Sequence, residues 1–450
     1  PGEDANIQPA RFFDVPDQPF RLYMSTGSGG GDPIDISWAI DTVTGLPANL
    51  DRIHFVKLVN GLNKTMGPFG ELSGELGAIV VSMPDGCWPQ AGRDAENRAG
   101  VSFDAPADPV VLWKTVDVEA LEGSSPVIWR NRVFVRCTDS LKAFDLDTGI
   151  ELWSQPIAAA TGEDTTSPAV HVNMVFAVSG DQAYCFELNG APVWHVTLSG
   201  SIAGGGVTAQ RACLYMSTHD GNVISISPHD GSENWATPGF SGMLDAKPAW
   251  SPSEHVYVAS RNDAGPGRVV RLATADGSTD TPWSDPDNMD VRHIMFTTLH
   301  IDSLGEDTDV ILAVAREATG LGKLRCLRAD NLTQLWEIPL PEGAGSPAVL
   351  DRRIYICCGT AAQGQTVCFD GSNGSQLWAT PAGEGLGKAN TSPVVFGNGI
   401  VVATESGKTA LLSPSDGGII WATSYSSRIY AASDGKIIGI DSGRVFCVSD

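Results

Sequence analysis

The sequence is poor in basic residues, in histidine and in long apolar runs. It contains 29 Lys and Arg against 53 Asp and Glu, which gives a net charge of -24, and it has eight His. An average field this acidic repels a phosphate backbone, so no nucleic-acid partner is expected. No apolar run reaches the roughly 18 residues of a transmembrane helix, so no membrane span is predicted.

Motifs of common catalytic and metal sites are also missing. The chain has no GxSxG, P-loop, HExxH or CxxC motif, and these are the spacings that serve nucleophilic serines, nucleotide phosphates and zinc. The nine cysteines are an odd number and leave the redox compartment open. Catalytic and metal-ligating residues are therefore left unassigned.

Tryptophan, in contrast, recurs at regular intervals of 40, 41, 41, 48, 53, 42 and 43 residues. A period near 42 is typical of a four-stranded propeller blade. The repeating residues, which we expect to have a structural role, are Trp113, Trp153, Trp194, Trp235, Trp283, Trp336, Trp378 and Trp421. The C-terminal segment supplies three strands and no Trp, whereas Trp113 has no repeat before it. The sequence thus predicts an all-β chain with an eight-bladed β-propeller closed by a strand from residues 109–116.

The repeat, such as VFVRCTDSLKAFDLDTGIELW before Trp153, resembles that of the PQQ-enzyme family. The resemblance covers residues 109–450 and implies a quinoprotein-like propeller. That family includes quinoprotein dehydrogenases and non-catalytic propellers, among them the scaffold subunit of the outer-membrane β-barrel assembly machinery. A shared repeat specifies the fold and leaves the activity open.

Two functions are compatible with this resemblance. The first is a non-catalytic binding or scaffold propeller with protein or glycan partners and no cofactor. The alternative is a PQQ- and Ca²⁺-dependent dehydrogenase that oxidises alcohols or sugars, which needs metal ligands, an Asp base and a cation near the quinone. Family members usually place these groups on long excursions between strands, and the short repeats here favour the first function. The oligomeric state is left open.

Residues 1–82 lack the repeat. An SWA-D segment at 37–41, an FVK strand at 55–57 and a GE-S-E turn at 70–75 resemble a small β-sandwich module of secreted bacterial surface proteins. This resemblance implies a secreted, cell-surface or periplasmic bacterial protein. Residues 83–108 are rich in Pro, Gly and Asp and predict a linker, with Trp88 exposed, before the propeller at 109–450.

Polar residues occupy the predicted turns between the second and third strands of most blades. In a propeller these turns lie at one end of the ring, where carboxylates could bind Ca²⁺ or a polyhydroxy ligand. The candidate binding residues are Asp139, Asp181, Asp220, Asn262, Glu317, Glu405 and Asp441. Asp and Asn also suit tight turns through backbone preference alone, and this alternative stays open. The DxxTG turns, such as Asp145 to Gly149, are predicted to be simple hairpin turns.

Two further features invite a functional interpretation. Adjacent cysteines form a disulfide over the cofactor in some quinoprotein dehydrogenases, but Cys357 and Cys358 fall in a predicted second strand, where neighbours face opposite sides. They are predicted to be two packed thiols.

Blade five is the longest repeat, and its acids are either a cation site or a solvated loop: Asp285, Asp287, Asp290, Asp302, Glu306, Asp307 and Asp309.

Overall fold

The computed structural model describes three short strands near the N-terminus and most of residues 87–450. The gaps in the second range are residues 102, 161–165, 172, 211–212, 241–245, 262–264, 361–362, 383, 388–391, 405–406, 425–427 and 434. The chain divides into two compact units, Pro1–Asp85 and Gly86–Asp450. In the first, Arg11–Val15 (β1), Gln18–Met24 (β2) and Ile34–Asp35 (β3) form an antiparallel sheet in the order β1-β2-β3. The residues that carry the β-sandwich resemblance lie outside the described ones.

The second unit is an eight-bladed β-propeller, as predicted. Seven blades are four-stranded antiparallel sheets whose strands follow one another in the chain. The strands of blades 1 to 4 are Val127–Trp129 (β5), Arg132–Arg136 (β6), Ser140–Asp145 (β7), Glu151–Pro156 (β8), Ala169–His171 (β9), Met174–Ser179 (β10), Gln182–Glu187 (β11), Pro192–Thr197 (β12), Thr208–Gln210 (β13), Cys213–Ser217 (β14), Val223–Ile226 (β15), Glu233–Thr237 (β16), Ala249–Ser251 (β17), His255–Ser260 (β18), Arg268–Ala273 (β19) and Trp283–Ser284 (β20).

Blades 5 to 8 complete the ring. Their strands are Asp290–Ile301 (β21), Glu306–Arg316 (β22), Gly322–Arg328 (β23), Gln334–Leu340 (β24), Ala348–Leu350 (β25), Arg353–Cys358 (β26), Gln365–Asp370 (β27), Gln376–Ala379 (β28), Val394–Phe396 (β29), Gly399–Ala403 (β30), Thr409–Leu412 (β31), Ile419–Thr423 (β32), Arg428–Ser433 (β33), Lys436–Asp441 (β34) and Arg444–Ser449 (β35).

The predicted closing strand is present. Val110–Lys114 (β4) pairs antiparallel with β35 and is the fourth strand of blade 8, so the ring is closed by a segment that precedes blade 1. Within the described residues we find no helix, and hence no helical segment long and apolar enough to cross a membrane.

The repeating tryptophans join neighbouring blades. Each lies in the outermost strand of its blade, and five donate the indole N–H to a carbonyl in the third-to-fourth-strand turn of the next blade. Trp113, for example, donates to Leu146 O at 2.8 Å and Trp153 to Leu188 O at 2.9 Å. The third-strand residue opposite each Trp is usually small, as for Ala143 beside Trp153, because the indole needs room within a close-packed core.

The DxxTG turns have the hairpin form that the sequence predicts. In blade 1 the Asp145 carboxylate accepts hydrogen bonds from the backbone N–H groups of Asp147 and Thr148 and from the Thr148 hydroxyl, within 3.1 Å. Gly149 follows with φ of +68°, a conformation that favours glycine. A Cβ at Gly149 would lie 2.5 Å from Trp113. The motif is therefore the surface that receives the preceding blade's tryptophan.

Candidate functional site

A single segment lines the inner wall of the propeller at one end of its axial channel. We call this segment, Cys87–Ala105, the collar. It meets the innermost strands of blades 1 to 7 in chain order, and each strand donates one backbone N–H to it. The seven bonds are Ile128 N to Trp88 O (2.7 Å), Val170 N to Pro89 O (2.6 Å), Ala209 N to Gln90 Oε1 (3.1 Å), Trp250 N to Ala95 O (2.7 Å), Phe296 N to Glu96 O (2.9 Å), Val349 N to Arg98 O (3.0 Å) and Val395 N to Ala99 O (3.1 Å).

The collar occupies most of the segment for which the sequence predicts a linker. The prediction that Trp88 is exposed is wrong, because its side chain is 1% exposed and packs in the largest hydrophobic cluster of the propeller. The physical reason is that innermost strands of three residues leave backbone N–H groups along the channel. Those groups need acceptors once they are buried. The collar supplies the acceptors and thereby closes this end of the channel.

Lys247 fixes the middle of the collar. Its ammonium donates to Ala91 O at 2.7 Å, Asp94 O at 3.0 Å and Asn97 Oδ1 at 2.8 Å, which uses all three of its N–H groups. Burial lowers the pKa of Lys247 to about 7, while the nearby Asp94 carboxylate raises it. Lys247 is therefore a group that holds the backbone in place, and none of its donors remains for a ligand.

On the other side of the collar lies a cavity of about 480 Å³. Its floor includes Trp88, Gly92 and Asn97 of the collar. Its wall is a ring of residues from the starts of the innermost strands: Ser125, Ser167, Lys247, His293, Ser346, Ser392 and Arg428. Five of the seven residues are followed by a proline in the sequence, so a recurring X-Pro pair places a side chain from most blades around the axis.

The ring residues also link neighbouring blades. Ser125 N donates to Ser167 Oγ at 2.9 Å, and Ser346 Oγ lies 2.8 Å from His293 Nδ1. Burial, together with the charges of the nearby Arg316 and Arg292, lowers the pKa of His293 to about 4, so its imidazole is neutral at pH 7. At the edge of the ring, Arg428 donates to Glu122 O at 2.7 Å. The ring is polar, and none of its described side chains is a carboxylate.

This chemistry does not fit the Ca²⁺ of a quinoprotein site. Calcium takes six to eight oxygen ligands, several of them carboxylates. The described residues that line the cavity include no Asp or Glu, and they present Lys247, Arg428 and His293. Elsewhere in the described part of the chain, no three His, Cys, Asp or Glu side chains come close enough to hold a metal ion.

The adjacent cysteines are also arranged differently from a disulfide over a cofactor. Cys357 and Cys358 are both 0% exposed in β26, and neither is in a disulfide. They pack in different hydrophobic clusters, Cys357 in that of blades 7 and 8 and Cys358 in that of blade 5. Burial raises the pKa of Cys358 to about 12. Cys368 lies opposite Tyr355 in the sheet rather than opposite Cys357 or Cys358.

The candidate turn residues lie at the open end of the cavity. The segment that leads from one blade to the next bonds to these turns, as in Ile157 N to Asp139 O at 3.0 Å and Leu198 N to Asp181 O at 2.7 Å. Asp139, Asp181, Asp220 and Glu317 are exposed, and Asp441 is partly exposed and bonds to Lys114 Nζ at 2.7 Å. Asn262 and Glu405 lie outside the described residues.

These side chains do not converge on one point. The Gln182 amide donates to Asp181, the Asn222 amide to Asp220 and the Thr319 hydroxyl to Glu317, each within 3.0 Å. Three of the carboxylates are thus engaged within their own turns. The structure places the described members on one end of the ring, as a dispersed acidic rim around the cavity.

The acids of blade five form no cation site. They belong to a long hairpin, β21 and β22, and to the segment before it, where the sequence suggested a solvated loop as the alternative. Asp285 and Asp287 bond to Arg325, and Asp287 also lies 2.6 Å from Lys323 Nζ. Asp302 accepts from the Asn373 amide at 2.8 Å, and Asp307 lies 3.0 Å from His300 Nδ1. The negative charges are balanced mainly by side chains of the protein itself.

Sequence reasoning missed the collar and found only part of the ring. The Ser-Pro pairs carried a signal, because they recur at the start of most blades. Lys247 and His293 depart from serine at this position, and a comparison of the blades could have singled them out. The collar has no repeat, so its partners could not be inferred from spacing.

Comparison with known proteins agrees with this architecture. The family model PQQ_2, described as outer membrane protein assembly factor BamB, matches residues 97–237, 183–295 and 303–449. No curated protein sequence matches significantly.

Solved structures with the same fold include alcohol dehydrogenases and BamB. The quinohemoprotein alcohol dehydrogenase of Comamonas testosteroni aligns with a TM-score of 0.65 at 13% identity, over 81% of this chain and 80% of that one. A europium-containing methanol dehydrogenase aligns with a TM-score of 0.63 at 11% identity, over 81% and 98%. BamB of Moraxella catarrhalis aligns with a TM-score of 0.55 at 16% identity, over 76% and 100%. At these identities the similarity shows the fold alone.

Proposed function

Since the chain belongs to the PQQ_2 family of propellers, we propose that it is a non-catalytic binding or scaffold protein of the bacterial cell surface or periplasm. Its partners in this proposal are proteins or glycans. The observation that carries the proposal is the chemistry of the axial cavity. Its ring is rich in serine hydroxyls, its described residues include no carboxylate, and its one lysine is fully engaged by the collar.

The proposal extends to the N-terminal unit. Residues 1–82 are assigned as a β-sandwich module, and the support is the resemblance of the segments at 37–41, 55–57 and 70–75 to modules of secreted bacterial surface proteins. Such a module is consistent with a protein outside the cytoplasm. This proposal divides the chain into residues 1–82, a short connection and a propeller from residue 109 onwards. The collar lies within the connection, but it acts together with the propeller.

A cofactor titration tests the non-catalytic assignment. We expect the purified protein to show no saturable absorbance change with PQQ and Ca²⁺ up to about millimolar cofactor, where even weak binding of about -4 kcal/mol is visible. We also expect no dye reduction with a panel of alcohols and sugars. The reason is that the described lining of the cavity has no carboxylate to coordinate the metal that such a site needs. Saturable micromolar binding with dye turnover would instead establish the dehydrogenase.

The acidic rim is the proposed partner-binding face. Exposed carboxylates on several blades surround an open cavity, a form suited to a partner with cationic or hydroxyl groups. The triple variant Asp139→Asn, Asp181→Asn, Asp220→Asn is expected to weaken binding about tenfold, because each exposed charge contributes up to about 1 kcal/mol. Binding is measured on an array of bacterial surface glycans and by cross-linking to purified envelope proteins.

The matched control removes the same number of charges elsewhere. The variant Asp302→Asn, Glu306→Gln, Asp307→Asn alters the tip of the blade-five hairpin, between β21 and β22 and thus at the opposite end of the ring. It is expected to bind as the wild type does. If both triple variants lose binding equally, the effect comes from net charge and the rim is not the binding face.

A further inference from the structure

The collar is bound by the propeller much as a peptide ligand is bound by a receptor. Its contacts come from seven separate blades and are made by backbone, by side chains and by shape. We propose that the inner-strand ring of this propeller is a peptide-binding site whose resident occupant is the chain's own collar. The site recognises an extended peptide of the collar's sequence through the contacts described below, without needing the covalent connection at either end.

The first component of recognition is a ring of backbone donors. The seven donors occupy the same position in the innermost strands of blades 1 to 7, three residues after the ring residues such as Ser125, Lys247 and Ser346. In an ordinary sheet, a strand in this position would donate these N–H groups to a neighbouring strand. Here one peptide satisfies all seven, since it advances by about one blade every one to two residues over most of its course. Ordinary strand pairing offers no equivalent of this geometry.

The second component of recognition is a set of hydrogen bonds to side chains of the peptide. The Gln90 amide takes the place of a backbone amide at blade 3, where it accepts from Ala209 N at 3.1 Å and donates to Ala209 O at 3.2 Å. The Asn97 amide accepts from Lys247 Nζ at 2.8 Å and donates to Ile294 O at 3.2 Å. Both are side chains of the collar that bond to blades more than 100 residues away. A peptide with apolar residues at these positions would leave buried polar groups unpaired.

The third component is shape. The collar holds Arg93, Asn97 and Ala99 at φ of 70°, 67° and 51°, which is unfavourable for residues other than glycine. Such conformations persist only where the surroundings impose them. Asp94 supports the turn from within, because its carboxylate accepts from the backbone N–H groups of Glu96 and Arg98. The ring therefore selects a bent peptide that is partly preorganised by its own aspartate.

A close contact between the collar backbone and the wall makes this selection stricter. Gly100 lies against the inner strand of blade 6, where a Cβ would be 2.7 Å from Val349 O. Any larger residue at this position must push the peptide away from the wall. Together with the fully buried Trp88 side chain, this defines both ends of the recognised segment.

The test cleaves the collar out of the folded full-length protein. Two specific protease sites are introduced, one just before Gly86 and one between Ala107 and Asp108, which are exposed. After cleavage, we expect the peptide of residues 86–107 to elute with the propeller in size-exclusion chromatography at micromolar concentration, as shown by mass spectrometry of the peak. Elution of the peptide alone, with the propeller still folded by circular dichroism, would overturn the proposal.

Two variants identify the recognition groups. Lys247→Met leaves three buried acceptors without a donor and is expected to lower the retained fraction more than about tenfold, whereas Lys408→Met, a change at an exposed lysine, leaves it unchanged. If Lys247→Met does not fold, Gln90→Leu removes the blade 3 contacts from the peptide side and is expected to weaken retention in the same direction. Retention equal to that of the wild type in the folded variants would refute side-chain recognition.

Discussion

Replacing Arg325 with methionine is expected to lower the free energy of unfolding by about 3–5 kcal/mol, the effect of leaving a buried charge without its partner. Arg325 and Asp285 are both 0% exposed at their side chains, and Arg325 Nε lies 3.1 Å from Asp285 Oδ2. Asp287 and Glu337 also pair with Arg325, and its guanidinium lies 5.9 Å from the ring centroid of Trp283. The measurement is urea denaturation followed by tryptophan fluorescence.

Two matched variants separate the buried pair from a general effect of losing an arginine. Arg328→Met changes the same strand, but Arg328 is partly exposed and pairs with the exposed Asp330, so a loss of at most about 1 kcal/mol is expected. The double variant Arg325→Met, Asp285→Asn removes both buried charges and is expected to recover part of the stability. A double variant less stable than Arg325→Met would show that Asp285 has a role apart from this pair.

A methyl group at Gly149 is expected to destabilise the seam at which the ring closes. Gly149 has φ of +68°, and an added Cβ would lie 2.5 to 2.8 Å from three atoms of Trp113, whose strand β4 completes blade 8. The left-handed conformation alone costs about 1–2 kcal/mol. Displacing the indole adds about 1–3 kcal/mol. Gly149→Ala should therefore lower the urea midpoint clearly.

Gly305→Ala is the control for the backbone term. Gly305 has a nearly identical φ of +70°, and nothing lies within 4 Å of an added Cβ. The difference between the two variants measures the contact with Trp113 alone. Equal midpoints would mean that Trp113 can move without loss and does not secure the seam.

The propeller could be predicted from the sequence because its blades repeat one way of packing a Trp against the next blade. Most of these Trp residues have a small residue opposite them in the third strand and a glycine turn in the next blade, and these requirements leave a period in the sequence. The closing strand was predicted for the same reason, since Trp113 without a preceding repeat and a C-terminal segment without Trp complete each other. The structure places that strand at Val110–Lys114.

The collar and the axial cavity were beyond this reasoning. Pro89, Gly92 and Asp94 are residues of turns, and the collar does consist of turns, but each turn is stabilised by a different blade rather than by a neighbour in sequence. Lys247 shows the limit most clearly. Nothing near it in the chain indicates that its three acceptors lie about 150 residues earlier.

The acidic rim could be predicted only in part, unlike the propeller, which was predicted, and the collar, which was not. The topology brings the described turn residues to one end of the ring, and this much follows from the blade repeat. Whether carboxylates in separate turns act together depends on a partner that bridges them, so Asp139, Asp181, Asp220, Asn262, Glu317, Glu405 and Asp441 stay a proposal.

The closing strand and the collar have a consequence for the order in which the protein is made. Both precede blade 1, so a ribosome releases them before any of the blades that they bind. The collar meets blades 1 to 7 in the order of their synthesis, and each new blade can therefore dock on the next part of a peptide that is already present. β4 has to wait longest, because its partner β35 is the last strand of the ring to be synthesised. Assembly can thus proceed in one direction along the chain, while the ring closes only when the last blade has been made.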